Sequence, residues 1–424
     1  MRRVGIVFLG LVVAVAAIVA WLGLREDAVP PSASTADSAA LVVRGAYLAR
    51  AGDCMACHTA RGGAQYAGGR AIRTPFGTLY APNITPDKDT GIGNWSTDDF
   101  WHALHDGKGK GGKLLYPAFP FPNYTKMTRA DADALHAYFM TLTPVRQANR
   151  APELRFPFNQ RSLLVAWRAL YFRPGTYAED NKHDAQWNRG AYLVQGLGHC
   201  NACHTPRNLF GATQDSGDLR GAMIPMLDWY ASPLTGEKGS GLGDWDAHDV
   251  AQLLKTGVSP RGAVSGPMAE VVQQSLQHLG DADIAAMTAY LKALPAGEGE
   301  QSEPPKLTPE TDKVLKLGAA IYEKHCVDCH KAGGEGEPPH YPPLAGNRAV
   351  LLASPVNPVR AVLHGGYPPS TNGNPRPFGM PPFGAVLSDA EAAAVVSYIR
   401  NAWGNHGAMV GSDVVNRYRA VTVE

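Results

Sequence analysis

An excess of either charge is missing from this sequence: 39 Lys and Arg stand against 38 Asp and Glu in 424 residues, a formal net charge of +1. No global field argues for nucleic acid or a strongly charged substrate, and no nucleic-acid partner is expected. Also missing are a glycine-rich phosphate loop, a nucleotide fingerprint and a nucleophile–base signature, so nothing marks a substrate site or a catalytic residue of the chain's own. Cysteine is scarce, at six. All six serve one pattern, C-x-x-C-H: Cys54, Cys57 and His58; Cys200, Cys203 and His204; Cys326, Cys329 and His330.

A lone C-x-x-C is compatible with a redox dithiol, half of a zinc site or a haem attachment site. Three units more than 120 residues apart do not pair evenly into four-ligand zinc sites. A thioredoxin-like site needs no His after the second Cys and belongs in a βαβ pattern, which is not found. Covalent haem c attachment accounts for all five positions at once. Two thiols add to the two vinyl groups, and the adjacent His becomes the proximal iron ligand. Three haem c groups are therefore expected, on Cys54 and Cys57, Cys200 and Cys203, and Cys326 and Cys329, with iron on His58, His204 and His330. No cysteine then remains for disulfides.

A haem that only shuttles electrons needs a sixth ligand, and a Met thioether closes the site and raises the potential. Met127, 69 residues on, is the only methionine between His58 and the closing helix of the first copy. Met380, 50 residues after His330, lies in the stiff stretch "PFGMPPFG". The second unit offers Met223, Met226 and Met268. Met268, 64 residues after His204, has the intermediate distance and is the expected ligand, whereas Met223 and Met226 read as core. His102, His105, His248 and His364 are rivals that read better as surface or helix residues.

After Arg2 and Arg3, the 21 residues Val4 to Leu24 are uncharged and mostly apolar, ended by Arg25, Glu26 and Asp27. At about 1.5 Å per residue such a helix approaches the roughly 30 Å of a bilayer's hydrocarbon. Ala14-Val15-Ala16 offers the alternative of a cleaved signal peptide. The apolar run continues past it, and Trp21 stands where an interfacial anchor belongs, which favours a retained anchor. On either reading the remainder is exported. The positive-inside rule puts it on the periplasmic side of a bacterial inner (cytoplasmic) membrane.

Beyond that anchor, one plan repeats three times. Opening helices "RGAYLARAGDCMACH", "RGAYLVQGLGHCNACH" and "KLGAAIYEKHCVDCH" lead into the motifs, and "MTRADADALHAYFMTL", "LGDADIAAMTAYLKAL" and "LSDAEAAAVVSYIRNAW" close the copies. Thr128 with Asp131, and Ser388 with Glu391, read as capping boxes. Tyr138, Tyr290 and Tyr398 share one place and are expected to pack in cores. "TGIGNWSTDDFWHALHDGKG" answers to "SGLGDWDAHDVAQLLKTGVS", while the third copy keeps only "NPVRAVLHGGYP".

The plan resembles the class I cytochrome c fold. The expectation is a mainly α protein of three tandem class I cytochrome c domains preceded by one N-terminal transmembrane helix. Its boundaries are an anchor or signal peptide at 1–28, a tether at 29–40, domain 1 at 41–142 and an inter-domain segment at 143–187. Domain 2 follows at 188–295, a linker at 296–312, domain 3 at 313–406 and a C-terminal tail at 407–424.

Residues 41 to 406 resemble the triheme cytochrome c subunits of bacterial membrane-bound dehydrogenases, carried by the motifs above together with "ITPDKDTGIGNWSTDDFWHALHDG", "YPAFPFPNYTKMTRADADALHAYF" and "GMPPFGAVLSDAEAAAVVSYIRNAWGN". The resemblance implies a subunit that is not an enzyme by itself. It takes electrons from a catalytic subunit, whether a quinoprotein alcohol dehydrogenase, a flavin-dependent sugar or gluconate dehydrogenase or a molybdenum hydroxylase, and passes them to ubiquinone or to a terminal oxidase of the respiratory chain. It also implies the axial pairs His58 with Met127, His204 with Met268 and His330 with Met380. The permanent anchor departs from many alcohol and sugar dehydrogenase members and looks more like the cytochromes of molybdenum hydroxylases.

Two alternatives stand beside this: a free-standing anchored carrier, and a multihaem peroxidase, which would need an open axial position. Residues 150–175, "RAPELRFPFNQRSLLVAWRALYFRPG", interleave arginines with aromatics. They suit a membrane surface or partner groove, or equally a linker helix packed across two domains.

Overall fold

A computed structural model describes residues 2–32, 38–213, 218–297 and 304–420. Parts of the expected tether (33–37), linker (298–303) and tail (421–424) lie outside the described residues. The chain is mainly helical and forms two compact units. The first is Met1–Lys182 with Tyr192–Ala202 and Arg207–Gly217, and the second is His183–Ala191, Cys203–Pro206 and Asp218–Glu424.

In the first unit, α1 (Arg2–Leu24) is the one described helix long and apolar enough to cross a membrane, with a mean hydropathy of 2.8 over Ile6–Leu24. It is almost entirely unburied. Its C-terminal end is built into the domain that follows. A Cβ on Gly23 would stand 2.1 Å from the Val165 carbonyl oxygen of α7 (Leu164–Tyr171), so only glycine permits this approach. The last-turn carbonyls of α1 have no intrahelical donors. Arg168 donates to the Gly23 carbonyl at 2.7 Å, and Lys108 donates to the Leu24 carbonyl and to Glu26.

Helices α2 (Ser38–Ala51) and α6 (Arg129–Thr141) cross as the opening and closing pair of the first repeat. Between them run the motif helix α3 (Cys54–His58), the hairpin β1 (Ala71–Thr74) and β2 (Gly77–Tyr80), α4 (Thr97–His105), the short ladder β3 (Lys108–Gly109) and β4 (Lys113–Leu114), and α5 (Phe121–Tyr124). Strand β5 (Glu153–Leu154) adds to β2.

The second copy, most of it in the second unit, repeats this order. Helix α8 (Ala185–Ala191) crosses α12 (Asp281–Lys292), with α9 (Asn201–His204), β6 (Ala222–Ile224), β7 (Trp229–Ala231), α10 (Ala247–Thr256), β8 (Val258–Ser259), β9 (Gly262–Ala263) and α11 (Pro267–Gln274) between. Three backbone bonds of the turn before the middle helix recur. Ile92, Gly93 and Trp95 donate to Thr85, Asp87 and Ile92, and Leu242, Gly243 and Trp245 donate to Thr235, Glu237 and Leu242.

The same unit then carries α13 (Pro309–His325), α14 (Val327–His330), α15 (Arg348–Leu351), α16 (Val356–His364) and α17 (Asp389–Ile399). Their core gathers Ile321, Tyr322, Val359, Leu363, Val395 and Val396. Residues 412–419 form α18 (Ser412–Arg419), which buries Val415 against α16 and α17.

One crossing recurs in all three copies. A Cβ on Gly45 would lie 1.9 Å from the Ala134 carbonyl oxygen and 2.7 Å from Tyr138 Cβ; on Gly190, 1.9 Å from Ala286 and 2.8 Å from Tyr290; on Gly318, 2.2 Å from Ala394 and 2.7 Å from Tyr398. Glycine lets the backbones touch, and the tyrosine four residues further on covers it. The three tyrosines therefore pack as expected, against Tyr66, Trp187 and Tyr322.

Ser388 and Glu391 form the expected capping box. At Thr128 the cap is only half made. The Thr128 hydroxyl accepts from Asp131 N–H, but the Asp131 carboxylate is engaged by Arg44 and the Tyr192 hydroxyl, and that hydroxyl takes the Thr128 N–H instead.

Candidate functional site

The first C-x-x-C-H motif lies whole on the short helix α3, whereas α9 and α14 begin one residue after Cys200 and Cys326 and carry the second cysteine and the histidine of their motifs. Positions i, i+3 and i+4 of a helix share a face, so in the first motif both sulfurs and the imidazole project together. Asp53 and His199, directly before the first cysteine of their copies, adopt the left-handed conformation with φ of 50° and 38°. That turns the chain sharply out of the opening helix. Gly190 precedes its motif by one residue more than Gly45 does, and the π-helical turn Tyr192–Leu197 absorbs the difference.

Each histidine is held the same way. His58 Nδ1 donates to the Pro82 carbonyl at 2.8 Å, His204 Nδ1 to Ser232 at 2.7 Å and His330 Nδ1 to Pro342 at 3.0 Å. A carbonyl only accepts, so the proton is on Nδ1 and the lone pair on Nε2. This is the tautomer and orientation of an iron-ligating imidazole. Burial lowers the pKa of all three below the ordinary value, that of His204 to about 4, with the carbonyl bonds opposing, so the rings stand neutral.

Burial likewise pushes the Cys54 thiol up to about 12 and the Cys326 thiol up to about 11. A redox dithiol needs a lowered thiol pKa, so these values run against that chemistry. Among the described residues no group of three His, Cys, Asp or Glu side chains is placed to hold a metal ion. Each motif turn is also steadied by a cation on the carbonyl of its third residue: Arg70 on Ala56 at 2.5 Å, Arg207 on Ala202 at 2.9 Å and Lys331 on Asp328 at 3.3 Å.

Met127 is fully buried, immediately before the N-cap of α6, in a loop tied to the first motif by the Tyr124 hydroxyl, which donates to the Gly52 carbonyl at 3.1 Å. Met380 exchanges two backbone hydrogen bonds with Gly366 and packs on the same core cluster as Cys326. Met268 lies at the start of α11 behind Pro267, half-buried. Gly266, two residues earlier, abuts the Trp229 ring, and Trp229 stands on the strand that leads to Ser232. The place corresponding to Met127, just before the closing helix's cap, is taken in the second copy by the buried Leu279.

Met223 and Met226 are not core, contrary to expectation: they are exposed on β6 and in its turn, where the short two-stranded hairpin leaves no layer above them. Among the rival histidines, His102 is bound by Asp106, His105 by Asp27 and His364 by the Tyr418 carbonyl, and His248 is exposed on α10.

The donor set fits haem c: paired thiols, a neutral imidazole with Nε2 free of its proton, and methionines within the same folds. The carbonyl acceptors and the motif-bracing cations had no sequence signal, since any residue supplies a carbonyl.

A Cytochrome c family model matches residues 42–143 and 315–403. The chain is 40% identical over 410 residues to the gluconate 2-dehydrogenase cytochrome c subunit of Pantoea cypripedii, covering 91% of each. It is 40% identical over 390 residues to the alcohol dehydrogenase (quinone) cytochrome c subunit of Gluconobacter oxydans, covering 88% of this chain and 81% of that one. With the fructose dehydrogenase cytochrome subunit of Gluconobacter japonicus it shares 37% identity over 435 residues, covering 95% of this chain and 87% of that one.

Proposed function

The chain belongs to the cytochrome c subunits of dehydrogenase complexes, electron-transfer rather than catalytic subunits, and from that premise we propose that it carries three haems in series between a catalytic dehydrogenase and quinone. The haems are attached at Cys54 and Cys57, Cys200 and Cys203, and Cys326 and Cys329. His58, His204 and His330 are the proximal ligands, and Met127, Met268 and Met380 the distal ones. Helix α1 anchors the chain in the bacterial cytoplasmic membrane, with three cytochrome c domains in the periplasm.

The observation that carries this reading is the threefold bond from His Nδ1 to a backbone carbonyl. Haem iron, when bound, supplies one-electron redox chemistry. The chain's own residues orient the imidazoles, keep their Nε2 unprotonated and surround the site with apolar side chains. A quinone as acceptor is supported by the relative whose name includes quinone, and ubiquinone is the quinone proposed.

Mild detergent purification of the complex, with haem counted per chain by pyridine haemochrome and intact mass, tests it. Three haems, reduced by the substrate of a co-purifying dehydrogenase and reoxidised by a ubiquinone analogue, are expected. Two haems per chain, a high-spin peroxide-reactive haem, or isolation of the cytochrome alone would overturn it.

A further inference from the structure

The exposed face of α7 is apolar. Leu163, Ala166 and Leu170, spaced i, i+3 and i+7, point outward, while Leu164, Arg168 and Ala169 face in. A surface helix of a water-soluble domain has the opposite pattern.

The apolar face continues onto neighbouring segments of the same unit. Trp167 Nε1 donates to the Phe210 carbonyl at 3.0 Å, and Phe210 stacks on Tyr171, so the loop 208–211 is fastened to α7. From that loop Leu209 projects with 92% of its surface exposed. Phe76 joins Phe158 at 4.5 Å and reaches Gly211, which brings the exposed Phe156–Phe158 segment to the same patch. Around it, residues 154–177 hold four arginines and no acid, and residues 203–213 hold Arg207 and no acid.

What covers this patch is indicated by α1. Gly23, in the last turn of the apolar helix, touches Val165 in the first turn of α7, and Arg168 bonds its carbonyl. Where α1 leaves the hydrocarbon, α7 begins.

We infer that α7 and the loop 208–211 lie in the headgroup layer of the bilayer that α1 spans, with Leu163, Leu170, Leu209 and Phe210 inserted among acyl chains and the exposed Arg155, Arg173 and Arg207 on anionic headgroups. The occupant is lipid, not a protein groove. This inference rests on reading α1 as a membrane anchor.

Spin labels test both parts separately. The native cysteines are taken by haem, so Leu170→Cys, Leu209→Cys, Val13→Cys in α1 and Asp89→Cys at an exposed loop each give one labelling site in the full-length holoprotein. Collision with oxygen, which partitions into lipid, is compared with collision with a water-soluble nickel chelate, in nanodiscs of phosphatidylethanolamine and phosphatidylglycerol. Labels at 13, 170 and 209 are expected to prefer oxygen and the label at 89 the chelate. Should 13 prefer oxygen while 170 and 209 behave like 89, the interfacial patch is overturned and the anchor stands. Should 13 prefer the chelate, the anchor falls and the inference with it. Shielding of 170 and 209 from both reagents only after the catalytic subunit is added would assign the patch to a protein partner and overturn the lipid assignment.

Discussion

Gly45 and Ala134 are separated by so little that a single methyl group on the glycine would reach 1.9 Å from the alanine's carbonyl oxygen. The contact joins opening and closing helices, and its counterparts at Gly190 and Gly318 do the same in the other two copies. Because the obstacle is backbone, a side chain there is relieved only by parting the helices. Gly45→Val is expected to lower stability by roughly 3 kcal/mol. Denaturant unfolding followed by tryptophan fluorescence checks it, and an unchanged midpoint would show that the crossing tolerates a side chain.

The methionines make a prediction that separates the copies. Met127→Leu and Met380→Leu remove a buried or core-packed thioether at nearly constant volume, so folding should hold while one haem of three loses its low-spin methionine signature. Met268→Leu is expected to do the same to a different haem. An unaltered spectrum for Met268→Leu would mean that the second copy, which has Leu279 where the first has Met127, takes its sixth ligand from elsewhere.

Arg168 is buried and serves the carbonyls of Gly23 and Asp106, with its guanidinium 4.8 Å from the Phe172 ring. Arg168→Ala strands both acceptors. A local cost of about 2–3 kcal/mol follows. Hydrogen exchange of residues 21–28 and 164–172 in detergent or nanodiscs should accelerate accordingly, with the haem spectra retained.

Helix α18 is held by Arg419, which donates to Asp389 at 2.6 Å and to the Leu387 carbonyl at 2.9 Å, and by Asn416 on the same carboxylate. Those bonds keep Asp389 below its ordinary value of 3.8. A depressed carboxylate contributes stability that is complete above the ordinary value and lost as pH falls through the lower, folded one. Exchange protection across 412–419 should therefore drop below about pH 4, and Asp389→Asn should flatten that dependence. Protection that persisted in the wild type down to pH 2 would show that Val415 packing alone holds the helix.

The motifs were readable because they are contiguous: two thiols and one imidazole are supplied by five neighbouring residues. The repeat plan was readable because glycine, tyrosine and the turn before the middle helix recur as side-chain identities. The acceptors of His58, His204 and His330 were not, since Pro82, Ser232 and Pro342 act through backbone oxygen, 24, 28 and 12 residues away. Met223 and Met226 misled because an apolar residue near a motif reads as core wherever the strand pairing is unknown. The half-made cap at Thr128 was hidden for a related reason: Asp131 is drawn off by Tyr192, 61 residues later.

By itself, then, the sequence determined the three C-x-x-C-H motifs, the apolar helix and the threefold order, all of which depend on local spacing and composition. Only the tertiary structure decided which nitrogen of each histidine keeps its proton, how α1 is joined to α7 and which apolar side chains are left outside. Those outcomes depend on backbone atoms and burial brought together across long stretches of chain, and neither is written in residue type.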